Sequence, residues 1–367
     1  MKTSKIFTIL LGFIFCISLA SATYACSVFA LKGKIETVYG SHLDRGYSWE
    51  SYFMTNNKNI KKIALVSKNE KPVKWTSKYN SITFAGSGKG FPVSGMNEKG
   101  LVVITLTAHG TKYPKPDNRP SISVIQWVQY QLDESATVQD VINSNKKIRI
   151  STKSLLPQHI IVGDRDGNTA IIEFINGKEV VYQGKDLPIR LATNSFYEQS
   201  VKTFNTYNKT HKNVNIKNII NAPIHNKKAY SLRRFIIGAY MLKRYKNSEP
   251  LIGYAVKTLK ALFNKEYHTR MSYVYDPVHL KIYYYTYKNP KLKEISFNDF
   301  NFKNNKKSYM INANKNFKDV KNVIQPFNQK INQQLAYYNL RYENIPIKAL
   351  TGRGEYAEQI HKMNFNK

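Results

Sequence analysis

The residue with the clearest chemical potential in this sequence is Cys26, which directly follows a run of small residues, 20–25. Ahead of that run lie two lysines and an apolar stretch, 6–19. A basic start, a short apolar core and a small-residue end are typical of a secretory signal peptide. We therefore expect residues 1–25 to be a cleaved signal peptide and Cys26 to begin a secreted or periplasmic protein.

Two cleavage positions satisfy the small-residue rule, one after Ala22 and one after Ala25. Only the second leaves Cys26 at the amino terminus, although self-processing can also remove a three-residue remnant, 23–25. The sequence leaves both routes open. The apolar stretch is shorter than the roughly 20 residues of a membrane span, and no later stretch qualifies, so we expect a soluble mature chain.

A cysteine at a chain start can act as a nucleophile and carry its own base. A free α-amine has a pKa near 7.7–8.0 and a free thiol one of about 8.5, so a proton passes readily from sulfur to nitrogen. The thiolate would attack an amide carbonyl, the protonated amine would serve the leaving nitrogen, and water would cleave the thioester. Cys26 therefore predicts an amide hydrolase, provided that its amine is free.

The other cysteine, Cys16, leaves with the signal peptide, so the mature chain has one thiol and no intramolecular disulfide. A lone exported cysteine is otherwise a lipid attachment site, an intermolecular bridge or an inert buried residue. Tyr24 is bulky where a lipoprotein signal has small residues, and the usual Leu is missing. These features disfavour lipid attachment, which would block both the sulfur and the amine.

The chain is strongly basic, with a formal net charge of +32. Its lysines are spread over the whole length rather than concentrated in one segment, which favours a solvated surface over a specific nucleic-acid site. A non-catalytic basic protein that binds anionic polymers or the cell envelope is the alternative from another class. The mass of the mature chain and the reactivity of its thiol distinguish the two.

Hydrophobic patterning predicts the elements that must position this chemistry. Alternating or short apolar segments predict strands over 27–31, 37–43, 60–66, 81–84, 101–107, 159–163, 168–174, 179–182, 190–193, 271–275 and 281–286. Helical spacing predicts helices over 122–132, 137–142 with Thr137 as its cap, 231–245, 249–263 and 317–342, the last kinked or split at Pro326. We expect a loop over 301–316 and turns at 97–100 and 164–167. This order predicts two sheets covered by helices on their outer faces.

Several motifs place the sequence near a known family. The segments 26–29 (CSVF) and 40–44 (GSHLD) resemble the opening of the choloylglycine hydrolase and penicillin V acylase family. The resemblance extends to about Leu340 through later motifs in matching order, at 95–101 (GMNEKGL), 191–194 (LATN) and 231–235 (SLRRF). It implies an α+β fold, the four-layer α-β-β-α N-terminal-nucleophile hydrolase sandwich, as one domain over 26–345 with a tail over 346–367.

The resemblance also implies a role for each matching residue. Cys26 would be the nucleophile, and Asp44 the carboxylate that holds its α-ammonium. Arg234 would supply positive charge that favours the thiolate. Asn194 would donate its side-chain amide to the tetrahedral oxyanion, and a backbone N–H near Thr107 would be the second donor.

Two departures from the family pattern concern neighbouring positions. The family often has an arginine three residues before the aspartate, where this chain has Ser41, with Arg45 just after Asp44 instead. Many members have Asn or Tyr where this chain has Thr107. A backbone donor tolerates that change, whereas a side-chain role does not carry over.

The substrate expected from the resemblance is a small-molecule N-acyl amide of the bile-salt, penicillin V, acyl homoserine lactone or fatty-acid amide type. Acyl transfer through the same thioester is the nearest enzymatic alternative. The resemblance further implies a homo-oligomer, namely a tetramer. Aromatic residues that would line an acyl pocket, or equally pack in the core, are Tyr47, Trp49, Phe53 and Tyr113.

No cofactor and no catalytic metal are expected, since the eight histidines show no paired ligand spacing. The glycine-rich segment 86–90 lacks the Ser or Thr and the helix start of a phosphate loop. The segment 164–167 lacks the later bidentate acid of a calcium loop, which favours a turn between strands.

Overall fold

A computed structural model describes residues 26–44, 52–67, 69–85, 88–152, 154, 156–222, 227–263, 269–303 and 307–342. The predicted signal peptide, 1–25, and the predicted tail, 346–367, lie outside the described residues. So do Arg45, Tyr47 and Trp49.

The described residues form nineteen strands. They are β1 (Ser27–Lys32), β2 (Thr37–Asp44), β3 (Tyr52–Asn56), β4 (Lys61–Ile63), β5 (Lys74–Thr76), β6 (Ser81–Ala85), β7 (Pro92–Asn97), β8 (Val102–Thr107), β9 (Ser121–Ile122), β10 (Arg149–Ile150), β11 (Gln158–Gly163), β12 (Thr169–Ile175), β13 (Lys178–Gln183), β14 (Leu191–Ala192), β15 (Thr269–Asp276), β16 (Lys281–Thr286), β17 (Lys293–Ser296), β18 (Tyr309–Asn312) and β19 (Gln325–Pro326). The helices are α1 (Val124–Glu134), α2 (Val138–Ser144), α3 (Tyr197–Thr210), α4 (Ile216–Asn221), α5 (Lys227–Arg244), α6 (Leu251–Leu262) and α7 (Gln329–Tyr342).

Two antiparallel sheets form the centre of the fold. One has six strands in the order β14-β1-β2-β15-β16-β17, and the other has nine in the order β13-β12-β11-β8-β7-β6-β3-β18-β19. Helices α5 and α6 pack against the six-stranded sheet, and α1 and α2 pack against the nine-stranded sheet. The predicted four-layer α-β-β-α architecture is confirmed.

The central strands are buried on both faces because each sheet lies between helices and the other sheet. Every residue of β2 is buried, so its sequence shows little of the apolar–polar alternation of a half-exposed strand. Tyr39 joins the two sheets, since its hydroxyl donates to the carbonyl of Asn168 at 2.9 Å. Its ring lies where a side chain at Gly163 would otherwise be.

Some local predictions hold in detail. Thr137 caps α2 in a capping box with Asp140, as its position predicts. The segment 164–167 is a turn between β11 and β12, in which Asp164 accepts backbone N–H bonds from Asp166 and Asn168. No helix among the described residues is both long and apolar enough to cross a membrane.

Other predictions are wrong at the carboxyl end. The segment 301–316 is not wholly a loop, because Tyr309–Asn312 forms β18 and pairs with β3. The predicted helix 317–342 begins only at Gln329, and Pro326 lies in the short strand β19. The two fully buried residues of β18 are Met310 and Ile311. Their neighbours in the sequence are mostly polar, so the hydrophobic pattern does not predict a strand.

Predictions for short elements are also incomplete. Strand pairing covers only Lys61–Ile63 of the predicted 60–66, and the helix predicted from 122 begins at Val124. Strands β3 and β7 and helices α3 and α4 were not predicted. Their sequences are short or polar and carry little periodicity.

We expect Gly163→Ala to destabilise the packing of the two sheets. The new Cβ would lie 2.0 Å from a ring carbon of Tyr39, and overpacking of this kind costs about 1–3 kcal/mol. Denaturant unfolding of the purified chain measures the loss. The control is Gly253→Ala on the exposed side of α6, where the nearest atom is 3.7 Å away and helix propensity should add up to about 1 kcal/mol. Equal stability of the two variants would contradict the expected packing.

Candidate active site

Cys26 lies immediately before β1, the second strand of the six-stranded sheet, and is 5% exposed. Ser27 pairs with His42 across β1 and β2, so continuing this register places Cys26 opposite Leu43 and next to Asp44. Because successive side chains of a strand point to opposite faces, the side chain of Cys26 lies on the same face of the sheet as Tyr39, which contacts the nine-stranded sheet. The thiol therefore belongs to the layer between the sheets.

Asp44 ends β2 and is completely buried. Its Oδ1 accepts a hydrogen bond of 2.6 Å from the hydroxyl of Thr269, the first residue of β15 and its partner in the strand pairing. Thr269 thus fixes the carboxylate, and the strand register brings the backbone of Asp44 close to the start of Cys26. Sequence reasoning assigned Asp44 and missed Thr269, which lies 225 positions away in the chain.

Arg234 extends from α5 to the start of β1 and is 2% exposed. Its guanidinium donates to the carbonyl oxygen of Cys26, to the hydroxyl of Ser27 at 2.5 Å, and to Oδ1 of Asn194 at 2.7 Å. It also stacks over the ring of Tyr230, 4.8 Å from the ring centre and one turn earlier on the helix. Since these three oxygens are uncharged, the cation favours an anion formed nearby.

Asn194 follows β14 and contacts both sheets. Its Oδ1 accepts from Arg234, and its Nδ2 donates to the carbonyl of Thr107 at 2.9 Å. The donor from Arg234 fixes which end of the amide is oxygen and which is nitrogen. One of the two N–H groups of Nδ2 binds Thr107, which leaves the second for another acceptor.

Thr107 ends β8 in the nine-stranded sheet. The next residue, Ala108, donates its backbone N–H to the carbonyl of Pro157 on the β11 side, at 2.9 Å. Successive residues of an antiparallel strand point their backbone groups to opposite sides, so the N–H of Thr107 points away from β11. Its carbonyl points the same way and meets Asn194.

His42 lies on β2 and points towards α6 and β15. Nε2 bonds to the carbonyl of Leu259 at 2.5 Å, and Nδ1 bonds to the hydroxyl of Ser272 at 2.8 Å. Burial lowers the pKa of His42 to about 4, and the nearby charge of Arg234 acts in the same direction. The imidazole is therefore neutral at neutral pH. The segment 40–44 contained this residue, but sequence reasoning gave it no role.

A group of hydroxyls lies around Asn194 and was not predicted from the sequence. Ser231 Oγ lies 3.0 Å from Oγ1 of Thr193 and 3.0 Å from Oγ of Ser195. Ser231 precedes Arg234 by three residues, so both lie on one face of α5. That spacing within the motif at 231–235 was the signal that could have predicted a shared site.

The two predicted pocket aromatics that the structure describes belong to the core. Phe53 is 1% exposed and packs against Phe84 and Tyr284, with ring centres 5.5 and 4.8 Å away. Tyr113 donates its hydroxyl to the carbonyl of Leu156 at 2.7 Å. The core-packing alternative holds for both residues.

One group of metal-ligating side chains lies at the other end of β1. Ligand atoms of Glu36, Asp276 and His279 lie within 4.8 Å of one another. Nδ1 of His279 is 2.9 Å from Oδ2 of Asp276 and 3.5 Å from Oε2 of Glu36. Two hydrogen bonds between His279 and Asp276 hold these side chains together.

We expect the free energy of unfolding to fall as pH drops from about 6.5 towards about 4 because of His42. In the unfolded chain this histidine takes up a proton near pH 6.5, whereas the folded site resists protonation down to about 4, so acid favours the unfolded state. The contribution is at most about 3 kcal/mol. Urea titrations at several pH values should give a flatter pH dependence for His42→Gln.

The exposed residue His211 supplies the matched control for that measurement. His211→Gln should follow the pH dependence of the unaltered protein. Parallel curves for His42→Gln and the unaltered protein would show that His42 does not set this dependence.

Comparisons with known proteins agree with this geometry. The model of the linear amide C–N hydrolases, choloylglycine hydrolase family, matches residues 26–225. A penicillin V acylase from Pectobacterium atrosepticum is 35% identical over 150 residues, which is 37% of this chain and 39% of that relative. The chain thus matches well under half the length of that curated relative.

Solved structures show the same fold at lower identity. The penicillin V acylase of Agrobacterium tumefaciens superposes with a TM-score of 0.68 and 19% identity, over 83% of this chain and 98% of that chain. A variant of the conjugated bile acid hydrolase of Clostridium perfringens gives 0.63 and 21%, over 80% of this chain and 100% of the other. With the family model covering more than half of its length, the chain belongs to the choloylglycine hydrolase family of linear amide C–N hydrolases.

Proposed function

We propose that this protein is an exported cysteine amidohydrolase that cleaves the linear amide bond of an N-acyl substrate. One observation carries the proposal: the guanidinium of Arg234 binds the Cys26 carbonyl and the Asn194 side chain together, and Asn194 in turn binds Thr107. The residues proposed as nucleophile, cation and oxyanion donors are thereby linked at the junction of the two sheets. The geometry matches the requirements of acyl transfer to a thiol.

In the proposed reaction, signal removal frees the α-amine of Cys26. This amine takes the thiol proton, and the positive charge of Arg234 favours the resulting thiolate. We assign stabilisation of the protonated amine to the carboxylate of Asp44, which Thr269 holds, because the strand register brings the backbone of Asp44 close to the start of Cys26. The sulfur then attacks the substrate carbonyl.

The tetrahedral intermediate carries a negative oxygen. The second N–H of Asn194 and the backbone N–H of Thr107 would donate to it, and loss of one such donor typically costs about 10²–10³ in rate. The ammonium of Cys26 gives its proton to the leaving amine. A water molecule, activated by the regenerated α-amine, then hydrolyses the thioester.

The proposed substrate class is based on the relatives and is no more specific than N-acyl amides. One relative is named a penicillin V acylase, and another is named a conjugated bile acid hydrolase. A panel of penicillin V, a glycine-conjugated bile salt, a long-chain acyl homoserine lactone and an acyl ethanolamide separates these types. Adding hydroxylamine as an acceptor distinguishes hydrolysis from acyl transfer.

We expect at least one donor in this panel to be cleaved, and Cys26→Ala to abolish the cleavage, because no other group forms the thioester. The intact mass of the secreted chain should correspond to an unlipidated protein that begins at Cys26. A thiol-alkylating reagent should add one label to it and stop the reaction. A chain that begins at Thr23, carries lipid or stays active after Cys26→Ala would refute the proposal.

Arg234→Lys should slow alkylation of Cys26 at neutral pH by about 3–10-fold, because a point charge cannot hold both Cys26 and Asn194 and so favours the thiolate less. The measurement is the rate of iodoacetamide labelling against pH. The matched control is Arg233→Lys, since Arg233 is the neighbouring residue and contacts the carbonyl of Ala222 instead. Equal labelling rates in the two variants would remove Arg234 from the proposed thiolate activation.

A further inference from the structure

A histidine and a glutamate meet in the layer between the sheets, outside the motifs of the family. His159 on β11 and Glu173 on β12 are opposite each other if the strand register is continued one step beyond the pair Ile160 and Ile172, and both side chains are completely buried. Nδ1 of His159 lies 2.8 Å from Oε1 of Glu173. This hydrogen bond fixes the orientation of both side chains.

This pair lies beside the proposed oxyanion donors. Gln158, which precedes His159, is the strand partner of Thr107. Oε1 of Glu173 also accepts the backbone N–H of Tyr197 at 2.9 Å. Tyr197 is the first residue of α3 and follows Asn194 by three positions.

The side chain of Tyr197 closes the segment that contains Asn194. Its hydroxyl donates to the carbonyl of Ile189 at 2.9 Å and lies 3.2 Å from the N–H of the same residue. Segment 189–197 is therefore a closed loop that includes β14. The nine-stranded sheet holds this loop at two points, Thr107 to Asn194 and Glu173 to Tyr197, both at 2.9 Å.

Stability alone does not explain the pair. Nε2 of His159 and Oε2 of Glu173 are buried and have no hydrogen-bond partner among the described residues. A buried acid–base pair with unsatisfied atoms is often less stable than apolar residues of similar size. Buried polar atoms without a partner are rare in native proteins and call for an explanation other than stability.

We propose that Glu173, oriented by His159, is a positioning residue that fixes the Asn194 amide for oxyanion binding. Glu173 holds the start of α3, α3 and Tyr197 hold segment 189–197, and that segment carries the amide. The inference rests on the proposed amidase activity for its catalytic consequence, whereas the anchoring itself does not depend on any reaction.

Hydrogen exchange tests the anchoring first. In Glu173→Ala the acceptor for Tyr197 N–H is lost, and amides in a peptide covering 189–197 should exchange about tenfold faster or more. Glu173→Gln keeps an acceptor oxygen but loses its charge, so its exchange should lie between those of Glu173→Ala and the unaltered protein. The control is Glu198→Gln, which removes an exposed acid from the same first turn of α3 and should leave this exchange unchanged.

Kinetics test the consequence with the best donor of the panel. Glu173→Ala should lower kcat by about 10–100-fold, because a displacement of reacting groups by about 1 Å costs about 10²-fold. KM should change by less than about twofold, since the ground-state substrate gains little from the oxyanion donors. Glu173→Gln should recover much of kcat, and iodoacetamide labelling of Cys26 should keep its rate. Where Glu173→Ala does not fold, Glu173→Gln gives the same comparison on a smaller scale.

Unchanged exchange over 189–197 in the Glu173 variants would overturn the inference, whatever the activity. Two further results would overturn it as well. One is a Glu173→Ala protein that exchanges faster but has the same kcat as Glu198→Gln, and the other is a Glu173→Ala protein whose KM rises while its kcat is retained. A protein inactive towards every donor would refute the proposed function, and the exchange result would then decide the anchoring on its own.

Discussion

The buried guanidinium of Arg234 is the interaction on which the arrangement of the site depends. Taking a cation out of water costs several kcal/mol, and only good geometry with several acceptors offsets it. Here the acceptors are the Cys26 carbonyl, the Ser27 hydroxyl and the Asn194 amide, with the ring of Tyr230 above. These groups belong to three separate segments of the chain. The charge can be buried only when α5, β1 and the segment after β14 have reached their final positions, so folding and site assembly coincide.

The spacing of the two sheets sets the second constraint. Cys26 and Asp44 come from the six-stranded sheet, whereas Thr107 comes from the nine-stranded sheet, and Asn194 forms the direct link between them. Tyr39 bridges the same layers further along, against Gly163. Protein interiors are close-packed, so neither sheet can shift without disturbing these contacts. A rigid inter-sheet layer is therefore a requirement of the proposed chemistry as well as of the fold.

Sequence patterns predicted the parts of the fold that local chemistry determines. The hairpin of β1 and β2, the paired strands β11 and β12, and helices α5 and α6 have strong apolar content and clear turns. In contrast, α3 buries only Tyr197, Ser200 and Phe204 of its 14 residues, and its mean character is polar. Strand β18 is four residues long and owes its conformation to pairing with β3, more than 250 positions earlier. Such elements depend on tertiary contacts that no local pattern contains.

The same distinction applies to the site. The sequence motifs predicted Cys26, Asp44, Asn194 and Arg234 as site residues. The structure places Cys26, Asn194 and Arg234 in one hydrogen-bonded group. The partners of these residues went unnoticed because they are distant in sequence: Thr269 for Asp44, and Glu173 for the segment carrying Asn194. A motif identifies a reactive residue type, whereas the orientation of that residue depends on neighbours that only the fold supplies.

The electrostatics of the interior differ from those of the surface in a way that suits an anionic reaction path. The excess of lysine is spread along the chain, whereas the cation that contacts Cys26 is one buried guanidinium, with a neutral His42 nearby. In the proposed chemistry the negative charge lies first on sulfur and then on the carbonyl oxygen of the substrate. Arg234 contacts the residue that bears the first anion and the amide that would bind the second, so one fixed cation stabilises both in succession. Because low-dielectric surroundings strengthen such interactions, burial of the cation increases its effect on each anion.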